Sequence, residues 1–485
     1  MVSPSTVTRV VGVEAEYRNF NTGNAAMLNQ RLTVIGLGND DAEYGLEKKQ
    51  FFSAAKVAET YGWGSPLHLV AERFLPSTGK TAEFPVTFNP LKKSAQAVAA
   101  SGSISTVGVA TANGSGIVYI GGIPAEFSVL KGETAEQIIH AIKMAINGVL
   151  SMPVKTGDIN DNILPLTAKW SGDIGNQITI EIEANAPGVI FVIQNFSGGA
   201  VDPDVMPALE KIGIVWETFI FNTFSYKDTA RLDKYQSFVE GRWGPLEKKP
   251  CIVAHGCTDD LETRIAVTSL RENDAANFLI VSTGSRELPF VVGAAGLMDI
   301  VTTANKNPAQ NYKGRLTGLH TGADDVQEDT MARNASIMAG SSNNIKTGSV
   351  AELNDIVTFY HPASEGKYPS KRYVVDIVKL MNIIYNVRLI MEADSMKGAP
   401  LIPDKDITTN PAAVQPKTVK TAFINLTDTL VLAALICDAA FTKKNLKVLI
   451  DSENPKRLNT AYPVKLSGNV EVSNNDVYFG FYLGE

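Results

Sequence analysis

The sequence predicts an α/β core, a mixed sheet with helices on both faces, carrying an inserted β-rich domain and followed by an α+β C-terminal domain. Three observations point there. Strand-like and helix-like runs alternate on either side of a compositionally distinct stretch, the rhythm of a parallel or mixed sheet. Within that stretch arginine is absent from Arg73 to Arg231, and only 14 residues are charged from Thr87 to Gly199. The last third changes again, to two long apolar helical runs and short strands. The boundaries read as an arm over 1–27, a core over 28–86 and 200–345, an insertion over 87–199 and a C-terminal domain over 346–485.

In the core, Arg31–Leu37 is a buried-strand pattern, and Ser53–Tyr61 is a short helix closed by Gly62. Strands follow at Ile214–Phe221, Cys251–His255 and Phe278–Ser282. Helices are expected around them at Val205–Ile212, Thr229–Glu240, Asp259–Leu270, Leu288–Ala304 and Val326–Ala339. In the insertion, Gly116–Ile120 and Ile123–Leu130 flank Gly121-Gly122, a two-residue hairpin signal. Thr134 to Gln137 fits a capping box ahead of Ile138, Ile142, Ala145 and Val149 at helical spacing. Further strands are expected at Ile163–Lys169, Gln177–Glu183 and Gly188–Gln194.

In the C-terminal third, Tyr373–Met391 is apolar almost all round and must be buried. Pro400–Pro416 reads as a connection, Thr427–Lys443 as a second apolar helix, and Lys447–Ile450 and Tyr462–Leu466 as strands. Val477, Phe479, Phe481 and Leu483 alternate along a final strand, with Tyr478 and Tyr482 on its other face. Such a strand pairs either within its own domain or with the sheet edge of a neighbour.

Composition excludes several classes. Net charge is −7, and no Lys/Arg cluster exceeds a pair, which argues against nucleic acid as the main partner. The longest apolar run, Leu430–Cys437, is far shorter than the ~20 residues a membrane span requires. Residues 1–20 hold Glu14, Glu16 and Arg18 where a signal peptide would be apolar, so no secretory route is expected. Three cysteines make no disulfide framework, and Cys437, inside its apolar run, reads as a core residue.

Candidate chemistry is sparse. Cys251, His255 and Cys257, ahead of Asp259 and Asp260, form the one enzyme-like cluster, and it supports an alternative reading as a hydrolase using Cys257 and His255. Cys251 and His255 end one strand with Cβ atoms roughly 13 Å apart, so they make no nucleophile and base pair. His255 and Cys257 could share a metal, but no second ligand pair exists, and a strand followed by a turn is the simpler reading. Gly36 and Gly38 lack the third glycine of a phosphate loop and precede Asn39-Asp40-Asp41, so they read as a turn. His68, His140, His320 and His361 are isolated. No catalytic residue, metal or cofactor is expected.

Several motifs together resemble the tail sheath proteins of contractile-tailed bacteriophages, in the Mu-like branch. Asn29-Gln-Arg-Leu-Thr-Val-Ile-Gly36 resembles the first core strand of that branch, and Tyr61-Gly-Trp-Gly-Ser-Pro-Leu67 its following turn and helix. Leu166-Thr-Ala-Lys-Trp-Ser-Gly-Asp-Ile-Gly-Asn176 is similar to a stretch of its insertion domain. Leu288–Ala304 with Pro308-Ala309 and Leu316-Thr-Gly318 resembles the helix and segment that come next in its core. The order of the motifs is more specific than any one of them.

The resemblance implies a structural, non-enzymatic subunit of the virion tail, assembled in the host cytoplasm. Such subunits stack as hexameric rings around the tail tube protein, between baseplate and tail terminator proteins. Contraction of the sheath drives the tube through the host envelope during genome ejection. The resemblance further implies that neighbours are joined by an N-terminal arm, with Val11, Val13, Ala15 and Tyr17 alternating, and by the C-terminal strand of Val477, Phe479, Phe481 and Leu483. The insertion would lie outermost and the C-terminal domain would face the tube. A basic inner patch of Lys443, Lys444 and Lys447 would suit an acidic tube. Another tail component is the remaining alternative, which the helical middle disfavours.

Overall fold

The computed structural model describes residues 25–75, 84–316, 319–366, 369–471 and 473. The chain divides into two compact units, Leu28–Met381 and a second made of Asn382 onward with the described residues before Leu28.

The first unit opens with β1 (Leu32–Leu37), β2 (Lys49–Gln50), α1 (Ala54–Tyr61), α2 (Pro66–Phe74) and β3 (Val86–Leu91). Ser53 caps α1 by accepting from the Lys56 amide, and Gly62 closes it with φ 93°, a conformation that favours glycine. β3 is buried along its whole length and runs parallel beside β1, from Leu32↔Val86 to Leu37↔Leu91. Thr87 to Leu91 therefore belong to the core sheet, although they start the low-charge stretch.

The insertion is closed at its base by two backbone hydrogen bonds between Val98 and Ala200, 3.0 and 3.1 Å. It comprises β4 (Ala99–Gly108), β5 (Gly114–Ile120), β6 (Ile123–Val129), α3 (Ala135–Gly148), β7 (Val154–Thr156), β8 (Ile163–Ser171), β9 (Ile180–Asn185) and β10 (Val189–Ser197). They form two antiparallel sheets, β10-β4-β8-β7 and β6-β5-β9. Gly121 and Gly122, with φ 57° and 81°, make the expected hairpin turn. Thr134 and Gln137 form the expected capping box of α3, which buries Ile138, Ile139, Ile142 and Ile146. Trp170, fully buried, meets Phe290 edge-on at 6.3 Å, and Arg286 stacks on Tyr119 while pairing with Glu181 and Glu183, so the insertion is seated on the core.

The chain returns through α4 (Met206–Glu210), β11 (Phe219–Asn222), α5 (Thr229–Trp243), β12 (Ile252–Cys257), α6 (Leu261–Thr268), β13 (Asn277–Val281) and α7 (Pro289–Lys306). β11 begins later than the apolar run that starts at Ile214. Arg242 draws the Gly213 and Val215 carbonyls into its own hydrogen bonds, and Ile214 is exposed. The core sheet has the order β13-β12-β11-β1-β3-β2, parallel except for β2. Helices cover both faces. α7 lies so close that a side chain at Gly256 would strike the Pro289 carbonyl, and Phe221 on that face meets Phe74 of α2. The opposite face carries Asn222, His255 and Leu279 against Leu232 and Tyr235 of α5.

The unit is completed by β14 (Arg315–Leu316), α8 (Thr330–Met338), β15 (Asn344–Thr347) and β16 (Val350–Leu353), which form the antiparallel sheet β14-β16-β15. Phe359 joins the cluster of Tyr226, Leu232, Cys257, Leu279 and Val281, so residues 346–381 pack with the core and the division falls at Asn382.

The second unit takes the end of α9 (Val374–Met391), then α10 (Pro416–Leu432), β17 (Ile436–Cys437), α11 (Ala439–Asn445), β18 (Lys447–Ile450), β19 (Leu458–Ala461) and β20 (Lys465–Leu466). Its core is Val414, Val419, Phe423, Leu446 and Val448, with Val387, Ile390 and Met391 from α9. The helix expected over Thr427–Lys443 is corrected here. α10 starts at Pro416, because proline suits the first helical turn, and stops at Leu432. Ala434 takes φ 53°, and Ile436–Cys437 pairs with Lys465–Leu466 instead. Of the expected strand Tyr462–Leu466, only Lys465–Leu466 is extended and paired, as β20; β19 ends before it, at Ala461. Cys437 is exposed rather than buried, since it sits on this two-stranded edge.

Candidate assembly site

The second unit contains two separate two-stranded sheets, β17-β20 and β18-β19. β18 and β19 are antiparallel with the register Lys447↔Ala461 to Ile450↔Leu458. Asp451 organises their turn by accepting from the Glu453 and Asn454 amides at 2.9 and 3.0 Å and from Asn459 Nδ2 at 2.7 Å. The Asn459 hydrogen bond, with those amides, holds the Asp451 carboxyl below its usual range. Val448 anchors the hairpin in the core, and Phe423 meets Tyr462 edge-on at 5.1 Å. Among the described residues each hairpin strand has one partner, so an outer edge of the ladder is open. A two-stranded ribbon is marginal alone, and an edge of this kind can accept a further strand.

The residues predicted to supply such strands, Val11, Val13, Ala15 and Tyr17 of the arm and Val477, Phe479, Phe481 and Leu483 of the C-terminal strand, lie outside the described residues. The second strand of the hairpin carries little sequence signal because Leu458–Ala461 is short. The turn-rich Asp451-Ser-Glu-Asn-Pro455 between two strand-like runs was the signal for it. Lys443, Lys444 and Lys447 lie near one another in the chain, at the end of α11 and the start of β18. Lys443 pairs with Asp428 at 2.6 Å, whereas Lys444 and Lys447 are exposed.

The enzyme-like cluster is a polar layer inside the core. His255 is fully buried; Asn222 Nδ2 donates to its Nδ1 and its Nε2–H donates to Asn277 Oδ1, both at 2.9 Å. That tautomer is assigned from the network: Tyr235 Oη donates to Asn222 Oδ1, and Asn277 Nδ2 donates to Asp274. Burial lowers the His255 pKa to about 4, so the ring is neutral. Burial likewise pushes the Cys251 and Cys257 thiols up to about 12, with Asp259 adding to the rise at Cys257. Neither thiol has the thiolate character a nucleophile needs. Asp259 is itself engaged by Tyr226 and Lys227, each at 2.8 Å. His68 is buried too, with its Nδ1 accepting from the Gly64 amide and its pKa lowered to about 4 by burial.

This gives an acid-lability with a defined sign. A histidine of pKa 6.5 unfolded and about 4 folded takes up its proton more readily when unfolded. Its contribution is complete above pH 6.5 and is lost as pH falls to 4. The loss at His255 alone amounts to about 3 kcal/mol. Urea titrations between pH 7 and 4 are expected to show it, with a flatter profile in His255→Gln.

No family model matches the chain. It is 25% identical over 415 residues to the Mu-like prophage FluMu tail sheath protein of Haemophilus influenzae, covering 84% of this chain and 83% of that one. Among solved structures, the sheath tail protein of Listeria innocua aligns over 92% of this chain and 94% of its own, at 10% identity and a TM-score of 0.49. The helical sheath of the anti-feeding prophage in its contracted state aligns over 99% and 100%, at 10% identity and a TM-score of 0.44. Over most of its length the chain is similar to a tail sheath protein of the Mu-like branch, and the resemblance carried by its motifs is borne out.

Proposed function

We propose that the chain is a structural, non-enzymatic subunit of a contractile tail sheath. The observation that carries the reading is the similarity to a tail sheath protein along 84% of the chain. In this reading the protein polymerises with itself as stacked hexameric rings around a tail tube, between baseplate and terminator proteins. It is assembled in the host cytoplasm and ends in the virion tail. The insertion lies outermost, and contraction drives the tube through the envelope.

The buried, neutral state of His255 and the high pKa of Cys257 favour this over hydrolase chemistry. The open β18-β19 hairpin supplies a place where a neighbour's arm and C-terminal strand extend the ladder. Backbone pairing of that kind holds while domains rotate as rigid bodies, so subunits stay joined when their side-chain contacts exchange. Electron microscopy of the purified protein tests the reading: hollow cylinders are expected, and uniform small particles overturn it.

Lys443, Lys444 and Lys447 are assigned to the tube-facing surface, with Lys444 and Lys447 the more available pair. Reversing all three charges is expected to leave cylinders intact and to reduce tube co-sedimentation, most strongly at low salt. Unaltered tube retention removes the assignment.

A further inference from the structure

The first unit exposes two methionines on α8. This helix of nine residues buries only Ser336, while Met331 is 82% exposed and Met338 46% exposed. So short a helix gains little from its own hydrogen bonds and depends on packing. Beside it lies a cleft of about 400 Å3 lined by Asp324, Glu328, Arg333, Ile345 and Lys346.

Glu328 is the unusual member. Its side chain is 6% exposed, and its Oε1 accepts from Arg264 and from Thr283 Oγ1. Its Oε2 is buried without a hydrogen-bond partner among the described residues. A buried carboxylate oxygen left unmatched is costly, and native proteins seldom leave one so. The cations lining the cleft are otherwise engaged. Lys346 is held by Asp324 at 2.6 Å and the Gly322 carbonyl at 3.0 Å, and Arg333 by the Glu328 carbonyl at 3.0 Å and Thr330 at 3.2 Å. The run from Asp324 to Asp329 carries four carboxylates and no basic residue. Glu328 Oε2 is itself covered, so a donor from outside reaches it only if the cleft wall gives way beside it.

We propose that α8 and this cleft are a docking surface for a second copy of the chain, which covers Met331 and Met338 and brings a lysine or arginine to the acidic cleft at Glu328. The second copy is the partner because the chain assembles with itself, so the inference rests on the sheath reading. Asp324 pairs with Lys346, Glu328 with Arg264, and Asp329 caps α8, so the charge complementarity comes chiefly from Asp325, exposed and in no ion pair among the described residues. Engagement here is by side chains, and is separate from the strand addition at the β18-β19 hairpin.

Methionine oxidation reads this contact directly. Full-length protein is assembled, cylinders are separated from unassembled chains by sedimentation, and both fractions are treated with dilute peroxide before peptide mass spectrometry. Met144, 71% exposed on the insertion helix α3, is the internal control. Met331 is expected to be protected several-fold in cylinders relative to unassembled chains, while Met144 reacts alike in both. Equal reactivity of Met331 in cylinders and free chains overturns the inference and leaves the sheath reading intact. Failure of the wild-type chain to form cylinders overturns both. Met331→Lys, at an exposed position that leaves the fold undisturbed, is expected to melt like wild type and to assemble poorly. Normal cylinders from that variant also sink the proposal.

Discussion

Removal of Val477–Glu485 is expected to abolish cylinder formation and leave a folded, monomeric chain. The deleted residues carry the alternation of Val477, Phe479, Phe481 and Leu483 expected of a strand, and in the proposed reading they pair with the open edge of the hairpin of Lys447–Ile450 with Leu458–Ala461. Each backbone hydrogen bond contributes about 1 kcal/mol net, and several along one ladder, repeated at every subunit, hold a polymer that single side-chain contacts do not. Sedimentation should move the protein from the pellet to the supernatant, with the thermal melt of the soluble chain unchanged. Cylinders of ordinary length from the truncated chain return the strand to its own domain.

The largest expected effect on stability comes from Arg264→Met. Arg264 is fully buried; Nη1 donates to the Asp259 carbonyl at 2.7 Å and to Thr283 Oγ1 at 3.2 Å, Nε donates to Ser341 Oγ at 3.2 Å, and Nη2 pairs with Glu328. Methionine fills much of the space but leaves the buried Glu328 carboxylate without its cation. Breaking one side of a buried pair typically costs about 3–5 kcal/mol. Urea unfolding of the single variant should show a loss of that order. Adding Glu328→Gln should recover part of it, because the uncompensated charge is then gone. A loss under about 1 kcal/mol, the scale of an exposed pair, refutes this account of the site.

Local signals with a stereochemical cause were legible in the sequence. Gly121-Gly122 made its hairpin because both positions require positive φ, and Thr134 with Gln137 capped its helix through two reciprocal hydrogen bonds. Leu32–Leu37 was recognisable as a strand because both its faces are buried. Apolar runs misled where a turn interrupted them. Leu430–Cys437 reads as one helical stretch, but Ala434 takes a left-handed conformation and the chain leaves as a strand, carrying Cys437 to the surface. The polar layer of Asn222, His255 and Asn277 was invisible for another reason. Its members sit on three adjacent parallel strands, 22 and 33 residues apart, and only the register of the sheet brings them together. The same holds for Arg264 and Glu328, 64 residues apart.

The Val98–Ala200 bridge has a consequence for how such a chain changes over generations. Its two hydrogen bonds make the insertion a stem-closed appendage whose ends leave the core a single hydrogen-bonded pair apart, about 5.5 Å between Cα atoms. To the β11-β1-β3 ladder, the hundred-odd residues above that stem count as one long turn. The stem is not its sole anchor, because Phe290 and Arg286 of the core pack against Trp170, Tyr119, Glu181 and Glu183 of the insertion. An exchanged module would keep the strand order beneath it but would have to cover those core residues anew.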